Sequence, residues 1–254
     1  MREILSDLVA EQQSLDQFLQ RLHEREWKTP TNVNGWTVHD TISYLASCET
    51  LAADVITDGE AAIKASGDTD LEAWTAAQVD KGRQLRYQAV IEWWRNGRAS
   101  VVDALSRRRG NDKIPWLIAP MGPKAFATVR LMETWAHGLD IKAAMEHKHP
   151  LIDEEGEPIP DSPRLRHVAW LSQAMFPWAF DQAGEEYPED GVRIELMGPK
   201  YARWVYGPEN AENVIKGLAG EYCRVAVHRL DPDETALKAV GDGAELALQV
   251  IRVR

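Results

Sequence analysis

Arg130-Leu131-Met132-Glu133-Thr134-Trp135-Ala136-His137-Gly138-Leu139-Asp140 is the stretch on which the reading of this chain turns. It reads as a helix with one polar stripe. Glu133 and His137 are four residues apart, so they project from one face about one turn apart. Arg130 and Asp140 flank them on nearly the same face. A carboxylate and an imidazole so placed are either two ligands of a divalent metal or a coupled acid/base pair. On an open surface they would be a helical ion pair worth only about 0.3–0.5 kcal/mol.

Helical periods continue outward from this stretch. The helix itself is expected from about Lys124 to Glu146, after a Pro-rich loop from Ile114 to Pro123 that holds Trp116. Upstream, Ile4, Leu8, Leu15, Phe18, Leu19 and Leu22 mark an amphipathic first helix. Thr37 is a candidate N-cap for a second helix reaching about Thr57, with Asp40 completing a capping-box-like pair. Leu71 to Leu105 is helix-rich, with a break near Gly82. The character changes after His149-Pro150. Asp153 to Pro163 is acidic and Pro-rich, which reads as a linker. A helix over Arg164–Ala183 follows, then an alternating strand at Gly191–Leu196 and a partner strand at Arg203–Tyr206, joined by a hairpin around Gly198-Pro199. Asn210–Ile215 reads as a short element, Leu218–His228 as a helix, and Glu234–Val240 as a final helical or strand piece. The expectation is an α+β protein: an N-terminal four-helix up-down bundle over residues 1–150, and a linker with a smaller C-terminal α/β domain over residues 151–254.

Composition narrows the partners. The formal net charge of −11 argues against nucleic-acid phosphate and against anionic lipid as partners. No run approaches the ~18 apolar residues of a membrane span. The first twenty residues lack a signal-peptide core. Cys48 and Cys223 match no zinc-finger or CxxC spacing, so they read as buried or semi-buried thiols of a cytoplasmic protein. Ten tryptophans suggest an aromatic core.

Two blocks resemble a known family. Gly35-Trp36-Thr37-Val38-His39-Asp40-Thr41-Ile42-Ser43-Tyr44-Leu45-Ala46 resembles the opening of helix 2 in DinB-like proteins, and more closely that of the mycothiol-dependent maleylpyruvate isomerase group. The stretch from Pro115-Trp116 to Met121, then Ala127 to Asp140, resembles that group's second block. Trp204-Val205-Tyr206-Gly207-Pro208-Glu209-Asn210-Ala211 resembles one actinobacterial subfamily of metal-binding members. The likeness runs from about Leu5 to Ala247. It implies a DinB-like bundle with a sterol-carrier-like C-terminal module, and a divalent metal, zinc-like, held by three residues. Glu133 and His137 match two of these. The third, a helix 2 histidine in the family, is Tyr44 here. His39 lies five residues earlier, about 140° around the helix, and cannot take the same place without a helix shift. Asp40 and Cys48 share a face with Tyr44. Tyrosine is a rare ligand, since its oxygen must lose a proton with an ordinary pKa near 10.

Three functional readings follow. In the first, Glu133 and His137 are a general acid/base pair in a metal-free bundle pocket. Tyr44 or His39 donates a proton or hydrogen bond, and Arg130 holds an anionic group. Asp40, Trp116 and Asp140 are candidate substrate contacts, with Trp116 as a pocket lid. The reaction would be ring closure, elimination or isomerisation of a small anionic metabolite in secondary metabolism. In the second, the resemblance implies a divalent-metal enzyme using mycothiol in isomerisation or thiol transfer. The third is a binding module without catalysis. The expected partner is a small molecule, and a homodimer is plausible.

Overall fold

The computed structural model describes residues 1–33, 35–67, 70–116 and 119–253. Leu117 and Ile118 of the expected Ile114–Pro123 loop lie outside the described residues. The chain forms two compact units that meet in sequence at Leu151 and Ile152.

The first unit is helical. Its long helices are α1 (Arg2–Leu19), α2 (Val38–Asp58), α5 (Tyr87–Ser106) and α6 (Pro123–Met145), with the shorter α3 (Glu60–Ala65) and α4 (Leu71–Arg83) between α2 and α5. The break expected near Gly82 is the α4–α5 turn. One core joins the four long helices: Leu15, Phe18 and Leu19 from α1, Ile42 and Leu45 from α2, Val90 and Trp94 from α5, Ile141 and Met145 from α6. Helix α6 is buried without interruption from Phe126 to Met132, as a helix packed on all sides must be.

Local chemistry sets where α2 begins. The Thr37 hydroxyl accepts from the Asp40 N–H at 3.2 Å, and Asp40 Oδ2 accepts from the Thr37 N–H at 3.0 Å. This reciprocal cap satisfies two donors that the helix start would otherwise strand. Pro123 opens α6 at a first-turn position, where its missing N–H costs nothing. Two close approaches lock α2 against its neighbours. A Cβ at Gly82 would lie 2.1 Å from Ser43 Oγ, and one at Gly97 would lie 3.0 Å from Glu49 Cβ. Buried Asp16 on α1 binds Arg95 and Arg98 on α5. Burial works against its charge, but the two guanidiniums prevail and hold its pKa below the usual carboxylate value.

The second unit carries a four-stranded sheet in the order β2-β1-β3-β4, from β1 (Val192–Met197), β2 (Arg203–Tyr206), β3 (Asn213–Leu218) and β4 (Lys238–Val240). β1 and β2 are antiparallel, with Met197 opposite Arg203 at the hairpin end. β1 and β3 run parallel, with Ile194 opposite Ile215. Val192, Ile194 and Leu196 are buried on one face of β1. The helices are α7 (Leu165–Ala174), α8 (Phe176–Ala183), α9 (Ala219–Ala226) and α10 (Asp242–Val250). Three expectations change here. The single helix over Arg164–Ala183 is two, because Pro177 cannot donate into the preceding turn and starts α8 instead. Asn210–Ile215 leads into the parallel strand β3. The Glu234–Val240 piece holds the strand β4, and it is followed by a helix, α10, that the sequence expectation did not include. Both cysteines are buried free thiols.

Candidate functional site

Helices α2 and α6 bring one polar cluster together inside the first unit. The Tyr44 hydroxyl donates to Glu133 Oε2 at 3.3 Å. His137 Nε2 lies 3.6 Å from the same oxygen, and its Nδ1 lies 3.2 Å from Asp140 Oδ2. Glu133 and His137 are each 13% exposed, enough to meet a small molecule, while Asp140 is buried. The Tyr44 ring meets the His137 ring edge-on at 5.0 Å, and Trp36 packs on both rings. Imidazole and phenol are thus held by aromatic walls as well as by polar contacts.

A second, deeper layer adjoins it. Arg130 on α6 and Glu49 on α2 are both fully buried, with Nη1 and Oε1 3.8 Å apart. That is an ion-pair distance but not a hydrogen bond. Arg130 Nε and Nη1, and both Glu49 oxygens, have no hydrogen-bond partner among the described residues. Buried polar atoms are rarely left so. Burial pushes the Glu49 carboxyl up to about 7; Arg130 pulls it down, and Glu133 adds to the rise. Burial disfavours the Arg130 charge, but Glu49 and Glu133 more than restore it, so its pKa is raised. The Trp116 ring covers the Arg130 guanidinium at 5.1 Å and meets Phe126 edge-on. Paired backbone bonds between Ile114 and Met121 close the loop that carries it.

Of the residues singled out from sequence, the fold brings together Tyr44, Arg130, Glu133, His137, Asp140 and Trp116. His39 and Asp40 do not join them. His39 Nε2 lies 3.2 Å from the Leu85 carbonyl oxygen, and its ring edges Trp27. The Asp40 carboxylate is taken up by Thr37 and by Arg83 at 2.9 Å, which hold its pKa low against the effect of burial. The expected proton donation by His39 and substrate contact by Asp40 are therefore corrected: the first points elsewhere and the second has no free oxygen. Sequence reading missed Glu49 and Trp36 and left Cys48 as a neighbour only. Cys48 lies one turn along α2 from Tyr44, and burial raises its pKa to about 12, which keeps it a thiol. A signal for Glu49 existed: it falls on the apolar stripe of α2, four residues after Leu45 and seven after Ile42.

The donor set bears on a metal. The 3.6 Å between Glu133 Oε2 and His137 Nε2 suits two neighbouring ligands about 2 Å from a shared zinc ion. The third position is a phenol. Burial above all, then Cys48 and Glu133, push the Tyr44 pKa well above its ordinary value, and its proton already faces Glu133. Among the described residues, no other histidine, cysteine or carboxylate completes a cluster of three with Glu133 and His137 within 4.8 Å. Two ligands and a protonated phenol do not fit the three-ligand zinc site that the resemblance implies.

The model of the mycothiol maleylpyruvate isomerase N-terminal domain matches residues 8–142, which is more than half of the chain. The chain belongs to this family. Two uncharacterized proteins of Mycobacterium tuberculosis, one from strain CDC 1551 / Oshkosh and one from strain H37Rv, are each 30% identical over 254 residues, covering 97% of this chain and 93% of theirs. Among solved structures, a mycothiol-dependent maleylpyruvate isomerase aligns with TM-score 0.60 at 16% identity, covering 94% of this chain and 92% of that one. A histidine-to-alanine variant of a mycothiol-dependent maleylpyruvate isomerase aligns with TM-score 0.59, covering 90% and 89%. At that identity the likeness concerns the fold. The matched segment in this family member contains the whole cluster, from Trp36 to Asp140.

Proposed function

We propose that this chain is a small-molecule enzyme of isomerase kind, linked to mycothiol, in which Glu133 and His137 move protons without a metal. The observation that carries this reading is the convergence of the Tyr44 hydroxyl and His137 Nε2 on one oxygen, Glu133 Oε2, at 3.3 and 3.6 Å. Two proton-carrying groups on one carboxylate oxygen make a relay of three residues, and general acid–base catalysis contributes typically 10²–10⁴-fold.

The roles follow from position. Asp140 lies 3.2 Å from His137 Nδ1 without a hydrogen bond to it, and Nε2 on the other side of the ring faces Glu133. Glu133 accepts a proton from the reacting group, and His137 passes it on. Tyr44 offers its O–H to charge developing on a substrate oxygen, a role suited to a phenol that keeps its proton. Arg130 holds a carboxylate of the substrate through the N–H groups that lack partners, and Trp116 over it limits water. When bound, mycothiol supplies a sulfur nucleophile for reversible addition to an electron-poor double bond; the Glu133–His137 pair is placed to take the thiol proton and return it.

The test is to incubate the purified protein with maleylpyruvate, with and without mycothiol, and follow loss of substrate. Turnover that needs mycothiol, survives chelator dialysis and disappears in Glu133→Gln supports the reading. Turnover abolished by the chelator and restored by zinc favours the metal-dependent alternative. If a panel of small unsaturated acids gives no turnover, and Glu133→Ala and His137→Ala leave ligand binding intact, the chain is a binding module instead.

A further inference from the structure

The first unit holds a second cavity, lined by none of the residues of the Tyr44–Glu133–His137 cluster. It measures about 320 Å³ and lies where the end of the Glu24–Lys28 turn, the start of α2 and the α4–α5 connection meet. This is within the usual range for a small-molecule site. Its wall combines aromatic and apolar side chains with charged ones. Trp27 and Tyr87 pack with ring centroids 5.0 Å apart, His39 edges Trp27, and Leu85 is 39% exposed beside them.

The charge at its rim says what it would take, and buried Trp27 behind it supplies a reporter. Trp27 is only 2% exposed, yet its indole N–H has no acceptor among the described residues. The nitrogen is shielded, so it reports on the packing of the wall and does not itself meet a ligand. The charge around the cavity is also distinctive. In a chain of net charge −11, its lining carries three cationic side chains against two acidic ones. Arg83 and Asp40 neutralise each other. Lys28 and Arg86 are exposed and have no ion-pair or hydrogen-bond partner for their side chains among the described residues, which leaves positive charge in excess over Glu24.

We infer that this cavity is a binding site for a small aromatic carboxylate, its ring against Tyr87 and the exposed Leu85 and its carboxylate between Lys28 and Arg86. The Tyr87 ring and Leu85 suit an apolar planar ring, and two unpaired cations at an open rim suit an anion. The site stands apart from the reaction proposed above and does not depend on it.

The test uses 2-naphthoate as the probe on ¹⁵N-labelled protein, read at the tryptophan indole N–H resonances, with Trp27→Phe to assign the Trp27 peak. The expected result is a saturable shift of that peak. Removing both cations in Lys28→Ala/Arg86→Ala should weaken binding about tenfold, in line with two partly exposed charge contacts. The shift persists in Glu133→Gln, which alters only the cluster on α6. Calorimetric titration of the Lys28 and Arg86 variants asks the same question without touching the buried indole, should Trp27→Phe fold poorly. Absence of any Trp27 shift up to the solubility limit of the probe overturns the inference. So does equal binding by the neutral 2-naphthalenemethanol, or unchanged affinity in the double variant. Displacement of the probe by equimolar inorganic phosphate would show a plain anion site and overturn the aromatic assignment.

Discussion

The Tyr44 hydroxyl donates to Glu133 Oε2 at 3.3 Å, joining α2 and α6 through residues 89 apart in the chain. Tyr44→Phe keeps the ring that packs on Trp36 and His137 but removes this donor. The fold should persist while kcat falls by about 10–100-fold, and Glu133→Gln should cost about 10²–10⁴-fold. Steady-state kinetics with circular dichroism as the folding control checks both. Equal activity of Tyr44→Phe and the native protein would remove the phenol from the mechanism.

Tyr44 is also where metal content can be tested. The native protein should retain less than one zinc ion in ten chains after chelator dialysis, because two protein ligands bind zinc weakly. Tyr44→His supplies the missing imidazole opposite Glu133 and His137, and should take up about one zinc ion per chain. Elemental mass spectrometry of both proteins reads the difference. Stoichiometric zinc in the native protein would mean that a ligand beyond these three completes the site.

Glu49 makes stability depend on pH. Its carboxyl is pushed up to about 7, chiefly by burial, against an ordinary value near 4.5. Between those values the folded chain holds a proton that the unfolded chain has lost, so stability falls as pH rises through this window and the loss is complete above it. The fall should be about 3 kcal/mol at most. Glu49→Gln removes this slope, although it leaves the Arg130 charge without a partner and lowers stability overall. Urea unfolding at intervals from pH 4.5 to 8 compares the two slopes; parallel curves would refute the assignment.

The start of α2 should be sensitive to its cap. Thr37→Ala removes the acceptor for the Asp40 N–H and should cost about 1 kcal/mol. Asp40→Asn should cost more, since it also weakens the bond to half-exposed Arg83. Thermal melts of the two variants order these effects. Because Asp40 lies outside the cluster, both variants should keep their activity at temperatures where they remain folded.

What could be read in advance was what lies close along the chain. Thr37 and Asp40 are three residues apart, so the cap that starts α2 was visible as a pattern. Glu133, His137 and Asp140 lie within two turns of one helix, so their common face needed only the helical period. Alternation of buried residues announced β1, and the turn at Gly198 announced its antiparallel partner. The parallel partner β3 was not visible, because parallel pairing joins strands without a turn to mark it. The division of α7 from α8 escaped because the apolar period runs on through Pro177.

The amino-acid order by itself determined the long helices of the first unit, the cap of α2 and the polar stripe of α6, because hydrogen bonds and side-chain spacing within a few residues set these. Tertiary structure alone decided which groups share a pocket. It set Tyr44 against Glu133 and Glu49 beside Arg130, and it turned His39 and Asp40 away to a different cavity. Those outcomes depend on how helices far apart in sequence rotate and press together. Close contacts such as Gly97 against Glu49 and Gly82 against Ser43 fix that rotation, and no local pattern encodes it.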